Sequence, residues 1–306
     1  MLGDCATGTR LHLQSPLATE EQLGLVPLVD DRVGAAAIRA VSAGYVATAA
    51  ELGLPIVIDA PTWWARSDRL ARRGITGAAA EGMLRRSAEV VLSVRDHFDG
   101  VYVSAPLGPS TDGYRADEVA LDQAIGFHRW HAEQLAATDV DLLLAGTFPS
   151  MVDLQAVAQV LDAIGRPYVL GPVVDATGCL PDGSPLHVAI DTIESSIDRP
   201  PMHWALCCTH PDVARQAMEV VASADSAAHD RVRQLKGNAS SASGDQRDTA
   251  DHVLADEPEP WALAAMRLRD EHGLVVLGGC CGTDDRHLLS LALRLTPLSP
   301  GPTAGR

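Results

Sequence analysis

Four of the six cysteines in this chain stand in two adjacent pairs, Cys207-Cys208 and Cys280-Cys281. Each pair follows a short apolar run, Trp204–Leu206 in one case and Leu274–Leu277 with two glycines in the other. Neighbouring thiols do not readily bridge each other, so such pairs point to metal or redox chemistry in a reducing compartment, not to a secreted disulfide framework. Thiolates converging from two strand ends favour zinc, which takes soft sulfur ligands in tetrahedral geometry. Three protein donors and one open position describe a catalytic ion, and the repeated Cys-x2-Cys spacing of closed structural sites is absent. The competing use of free cysteine is as a small buried filler. That use suits one pair better than two at matched positions.

Side chains alternate faces along an extended strand, so Cys207 and Cys208 are not expected to reach one ion together. Cys208, at the strand's end, is the expected ligand. Cys207 is expected to pack against the helices, a spare ligand at most. Glycines on both sides of Cys280-Cys281 let the backbone bend there, so adjacent thiols need not point apart. Cys5 and Cys179 read as structural.

The elements that must position these groups are legible as a repeating series. Continuous apolar runs at Ile56–Asp59, Val101–Ala105, Val140–Ala145, Tyr168–Leu170, Trp204–Cys208, Val232–Leu235 and Leu274–Leu277 predict parallel strands covered on both faces. A shorter run near Leu2–Ala6 opens the series. Between them lie helical stretches at Ala35–Leu52, Gly77–Asp96, Ala116–Ala137, Ser150–Ile164, Pro211–Ala224, Trp261–Glu271 and Asp284–Leu295. Eight such units in 306 residues predict an α/β fold of the closed (β/α)8 TIM-barrel type. A doubly wound sheet would want a glycine-rich dinucleotide fingerprint, and none is present. One domain is expected over residues 1–296, with a long loop at 238–250 and a Pro/Gly-rich tail at 297–306.

Composition narrows the partners. Twenty-four basic and 40 acidic side chains give a net charge of −16, which argues against nucleic acid and anionic membrane partners. Apolar residues make up 46% of the chain, enough for a real core. No uninterrupted apolar run approaches the length of a membrane span. The opening MLGDCATGTR lacks the features of a secretory leader, so a cytoplasmic protein is expected. Small-molecule partners are expected, and a homo-oligomer is compatible with the sequence.

GGCCGTDDRHL at Gly278–Leu288 resembles the closing motif of the zinc-dependent homocysteine S-methyltransferase family, which includes betaine- and S-methylmethionine-dependent enzymes. Other segments resemble that family in order along the chain. Asp4–Thr9 is similar to its opening Asp-Gly-x-x-Gly-Thr motif, and Ser104–Pro109 to its Gly-Ser-x-Gly-Pro segment. Leu206–Thr209 lies where the family has Asn-Cys-Thr, and Lys236–Ser240 resembles its seventh-strand segment. The resemblance spans residues 3 to 295. It implies a (β/α)8 barrel with zinc held by Cys208, Cys280 and Cys281, and an acceptor thiol as fourth ligand whose thiolate attacks an activated methyl group. Coordination strips the proton from a thiol that is otherwise mostly protonated at neutral pH.

The resemblance also suggests substrate residues. Asp4 matches a family carboxylate near the acceptor's amino group. Trp63 and Trp64 follow the second strand and are suited to the face of a cationic donor. In LLLAGTFP (Leu142–Pro149), Thr147 keeps a family threonine, while Gly146 stands where the family has a glutamate that binds the amino group. That loss removes a charge-assisted contact commonly worth about 1.5–3 kcal/mol. Cys207 replaces the family asparagine before the strand-six ligand. Asp153, further along, reads as a helix-surface charge, and His210 as a surface or supporting residue more than a proton relay. The expected function is zinc-dependent transfer of methyl from a small donor (S-methylmethionine, S-adenosylmethionine or betaine type) to homocysteine or a related thiol or selenol. A zinc lyase or hydrolase, or a non-catalytic barrel binding a ligand, would use the same residues differently.

Overall fold

Runs of apolar residues without alternation have two covered faces, and here they form the staves of a barrel. The computed structural model describes residues 1–306 except 15–22, 243–245, 247–251 and 297–306. The tail at 297–306 and most of the second half of the 238–250 loop therefore lie outside the described residues. Eight strands occur in sequence: β1 (Leu2–Gly3), β2 (Ile56–Asp59), β3 (Val101–Leu107), β4 (Leu142–Phe148), β5 (Tyr168–Pro172), β6 (His203–Thr209), β7 (Val232–Gly237) and β8 (Val276–Gly279). They close in chain order. Leu2 pairs in parallel with both Ile56 and Leu277, which seals β1 between β2 and β8. The expected (β/α)8 barrel is the observed one.

Most strands run past their apolar cores at the carboxyl end. β4 continues to Phe148, β5 to Pro172, β7 to Gly237 and β8 to Gly279. Apart from Phe148, the extra residues are Gly, Thr, Lys and Pro, polar or small types that are invisible to an apolar-run reading. Short helices also occur where no helical stretch was expected, at Thr7–Gln14, Ser67–Arg72 and Ala228–Arg231, and the longest of these additions is Leu186–Glu194. It is only nine residues long and follows a turn-rich segment.

Two apolar layers form. Leu143, Leu170, Trp204 and Leu206 join the helix-facing core, whereas Leu144, Val169, Ala205 and Cys207 cluster separately inside the barrel. Cys207 is therefore not packed against the helices as expected. The phase of β6 is fixed by bulky Trp204 and Leu206 facing outward, which sends Ala205 and Cys207 inward. The helix Arg32–Glu51 is long and apolar enough to cross a membrane by length and composition. In this fold it is an outer barrel helix that buries Ile38, Val41, Tyr45, Val46 and Ala49, and Asp31 caps it by accepting from Gly34 N at 2.7 Å.

Asp153 is also a correction. It is fully buried on the helix Met151–Ile164, not on its surface. It shares the inward stripe with Val157 and Val160, one helical turn apart. Its carboxylate accepts from Ser110 N at 2.8 Å and lies 2.7 Å from His128 Nε2. It thus pins the β3 loop that carries Asp112 and Gly113 to the barrel mouth. Asp153→Ala leaves the buried His128 and the part-buried Ser110 N without this partner, and we expect a loss of about 3 kcal/mol of unfolding free energy. Urea titration checks this, and a loss below about 1 kcal/mol would show the contact to be dispensable.

Candidate metal centre

The strand ends that carry sulfur are irregular, and the irregularity aims them. At the end of β6 the pairing with β7 shifts register between Cys207 and Thr209, and Cys208 adopts φ +52°. A side chain rarely enters this left-handed region. The same device recurs on β4, where the register shifts between Gly146 and Phe148 and Thr147 has φ +66°. Among the described residues these are the two non-glycine positions with positive φ. Without the reversal, alternation would send Cys208 out towards the helices. With it, Cys207 and Cys208 both line the mouth.

The neighbours hold Cys208 in place. Thr147 Oγ1 donates to Cys208 Sγ at 3.2 Å, and Asn238 Nδ2 donates to Cys208 O at 2.6 Å. Asn238 is itself held by Trp261 Nε1, which donates to its carbonyl at 2.8 Å. On β8, Cys280 N donates to Gly237 O at 2.7 Å and Thr283 Oγ1 donates to Cys280 O at 2.6 Å. Gly278 allows β8 to approach β1, since a Cβ there would sit 2.7 Å from Gly3 Cα. His210 is buried rather than superficial; its Nδ1 accepts from Asp212 N at 3.3 Å and its Nε2 lies 3.1 Å from Asp256.

The result is a cluster of three sulfurs. The Sγ atoms of Cys208, Cys280 and Cys281 all lie within 4.8 Å of one another, and those of Cys280 and Cys281 are 3.9 Å apart. Tetrahedral zinc with Zn–S bonds of about 2.3 Å wants sulfurs about 3.8 Å apart. Cys208 and Cys280, with Cα atoms 5.6 Å apart, are joined here as a disulfide. A disulfide uses two sulfurs, however, and tetrahedral zinc uses all three, so the donor set fits the ion better. Cys207, pushed up to about 12 by burial, stays a neutral thiol of the barrel interior. Cys5 is likewise buried, with its thiol raised to about 12, and Cys179 sits half-buried in the Asp175–Pro185 turn.

A cavity of about 720 Å³ opens beside the sulfurs. Its floor holds a charged group that sequence reasoning missed. Lys236 Nζ lies 2.9 Å from Asp4 Oδ1 and 2.7 Å from Asp59 Oδ2. Asp4 Oδ2 accepts from Asp59 N at 2.8 Å, and Ser104 Oγ donates to Asp59 Oδ1. Burial pushes Asp4 up to about 6 against the pull of Lys236. Burial also opposes the Lys236 cation, but the two acids outweigh it and leave its pKa above the ordinary value. A polar residue at the end of an apolar run was the available signal for both Asp59 and Lys236. Trp63 and Trp64 line the same cavity, their rings edge to face at 4.6 Å. Trp63 Nε1 donates to Gly146 O at 2.7 Å, and the Arg69 guanidinium stands 4.0 Å over the Trp64 ring.

A profile of the homocysteine S-methyltransferase family matches residues 1–295. The chain belongs to this family. It is a methyltransferase by that membership, and methyl transfer to homocysteine is the family's reaction. Solved structures agree on the fold. The metallated form of the homocysteine methyltransferase MmuM from Escherichia coli superposes with a TM-score of 0.74 at 20% identity, covering 96% of each chain. Its oxidised form gives 0.76 at 20% identity over 96% of this chain and 95% of that one. No curated protein sequence matches.

Thr147 thus touches the sulfur cluster through its hydroxyl. Thr147→Ser and Thr147→Ala both relieve a branched side chain at φ +66° and differ only in that hydroxyl. We expect the Ala variant to bind zinc about tenfold more weakly than the Ser variant in chelator competition. Equal affinities would show that the hydroxyl has no bearing on the metal.

Proposed function

We propose that this chain is a zinc-dependent thiol S-methyltransferase acting in the cytoplasm, with residues 1–296 as one catalytic unit. The observation that carries this reading is the meeting of three cysteine sulfurs from β6 and the β8 loop at one wall of the cavity. Cys208, Cys280 and Cys281 would hold the ion. Zinc bound there supplies the Lewis acidity that keeps an acceptor thiol deprotonated at neutral pH.

The chain's own residues do the rest. Cys281 is exposed at the mouth while Cys208 is buried, so the cluster faces the cavity from its floor to its rim. Leu144, Gly146 and Cys207 give the cavity an apolar wall with space for a thiol's carbon chain. Trp63, fixed by its bond to Gly146 O, offers an aromatic surface to a cationic sulfonium or ammonium donor. Trp64 would take that role only where Arg69 moves aside. Asp4 and Thr147 contribute through Lys236 and Cys208, not as uncommitted groups. The acceptor sulfur attacks the methyl carbon in line and the donor departs as a neutral thioether or amine.

Methyl transfer from S-methylmethionine to homocysteine, followed by mass spectrometry, tests the reading. Chelation should abolish turnover and added zinc should restore it. Cys208→Ala should lose both bound zinc and transfer, and full activity in a metal-free sample would exclude the mechanism.

A further inference from the structure

The acids that line the cavity are, among the described residues, Asp4, Asp59 and Asp112. All three already have partners in the protein, Asp4 and Asp59 deep in the cavity and Asp112 on a half-exposed turn. Asp4 and Asp59 clamp the Lys236 ammonium at 2.9 and 2.7 Å. Their remaining oxygens accept from Asp59 N and Ser104 Oγ. Asp112 Oδ1 accepts from Tyr114 N at 2.8 Å and Arg115 N at 3.2 Å, and its other oxygen lies 3.8 Å from the Arg115 guanidinium. Position 146, which also lines the cavity, is glycine, and the nearest atoms to a Cβ built there would be those of Leu144 at 3.6 Å and Cys207 at 3.8 Å, ordinary contact distances.

An amino-acid thiol brings an ammonium group that must also find partners in this cavity. The gap between Asp4 and Asp59 is where an ammonium would be held best, and Lys236 fills it from within. Two acids and one lysine leave a single net negative charge. A second ammonium arriving there gains from the acids but meets the like charge of Lys236 at similar range, so much of the attraction cancels. An ammonium carries three donors, and the two acids use two of those on Lys236. The third suits an oxygen of the ligand, such as a carboxylate or carbonyl.

We propose that Lys236 is a built-in substitute for the acceptor's α-ammonium, so that this site accepts carboxylate-bearing thiols whether or not they carry an amino group. The inference rests on the methyl-transfer reading above. The acceptor class is then wider than amino-acid thiols and includes 4-mercaptobutanoate, which is homocysteine without its amino group. In the reaction, the acceptor's new S–CH₃ bond forms as the donor's S–CH₃ bond breaks. The electron pair leaves with the donor sulfur as a neutral thioether, and the thiol proton goes to solvent.

The test compares 4-mercaptobutanoate with L-homocysteine on the zinc-loaded full chain, with S-methylmethionine as donor. We expect kcat/KM values that differ by less than about fivefold; a preference for homocysteine of about fivefold or more overturns the proposal. Calorimetry with the two methylated products, 4-(methylthio)butanoate and L-methionine, asks the same question without turnover. If neither thiol is methylated yet the two products bind alike, methyl transfer fails as the function and the substitute role of Lys236 stands. If neither product binds, or methionine binds about fivefold more tightly, the substitute role fails. Lys236→Met reopens the acid pair and should create a preference for homocysteine of about tenfold or more, expressed in KM more than in kcat. A folded Lys236→Met variant with unchanged selectivity would also overturn the proposal. Should that variant not fold, the wild-type comparison decides alone.

Discussion

The reversal of φ at Cys208 is the constraint on which the site depends. Successive residues of a strand face opposite ways, and no choice of side chain alters that. To bring a sulfur from β6 to the same mouth as two sulfurs beyond β8, the backbone must break its alternation at that residue. Holding a non-glycine residue in the left-handed region costs about 1–3 kcal/mol. Around Cys208 the structure supplies the restraints that such a conformation requires: Asn238 on its carbonyl, Thr147 on its sulfur, and Trp261 behind Asn238. The start of the strand-seven connection is thereby tied to the sulfur cluster through Asn238.

Charge in the cavity follows a related logic of groups answered from within. The chain is acidic overall, with a net charge of −16. Yet its cavity places one cation between two acids and another over an indole. Each of these cations occupies a place that a charged ligand would otherwise compete for.

Much of this was legible in the sequence, and the gaps have physical causes. The barrel followed from eight continuous apolar runs, because a parallel strand covered on both faces leaves that trace. The cluster followed from two vicinal cysteine pairs at strand ends. The inward orientation of Cys207 did not follow, because strand phase is set by which neighbours are too large to fit inside, here Trp204 and Leu206; Cys208 reaches the cluster as expected, but by a left-handed turn that has no composition of its own. Asp153 was misplaced because helix position alone does not show that a buried backbone N–H and a histidine await it. Asp59 and Lys236 lie 177 positions apart, and only barrel closure makes them neighbours.

The close approach of Cys207 to Gly171 has an evolutionary consequence. A side chain of any size at position 171 would run into the Cys207 sulfur. By contrast, position 146 has room for an added Cβ at ordinary contact distance. Divergence of this barrel lumen is thus asymmetric. A larger residue at 146 can be taken up by a single substitution, whereas one at 171 also requires the Cys207 sulfur to turn away or be replaced, so the two positions are not equally free to reshape the lumen.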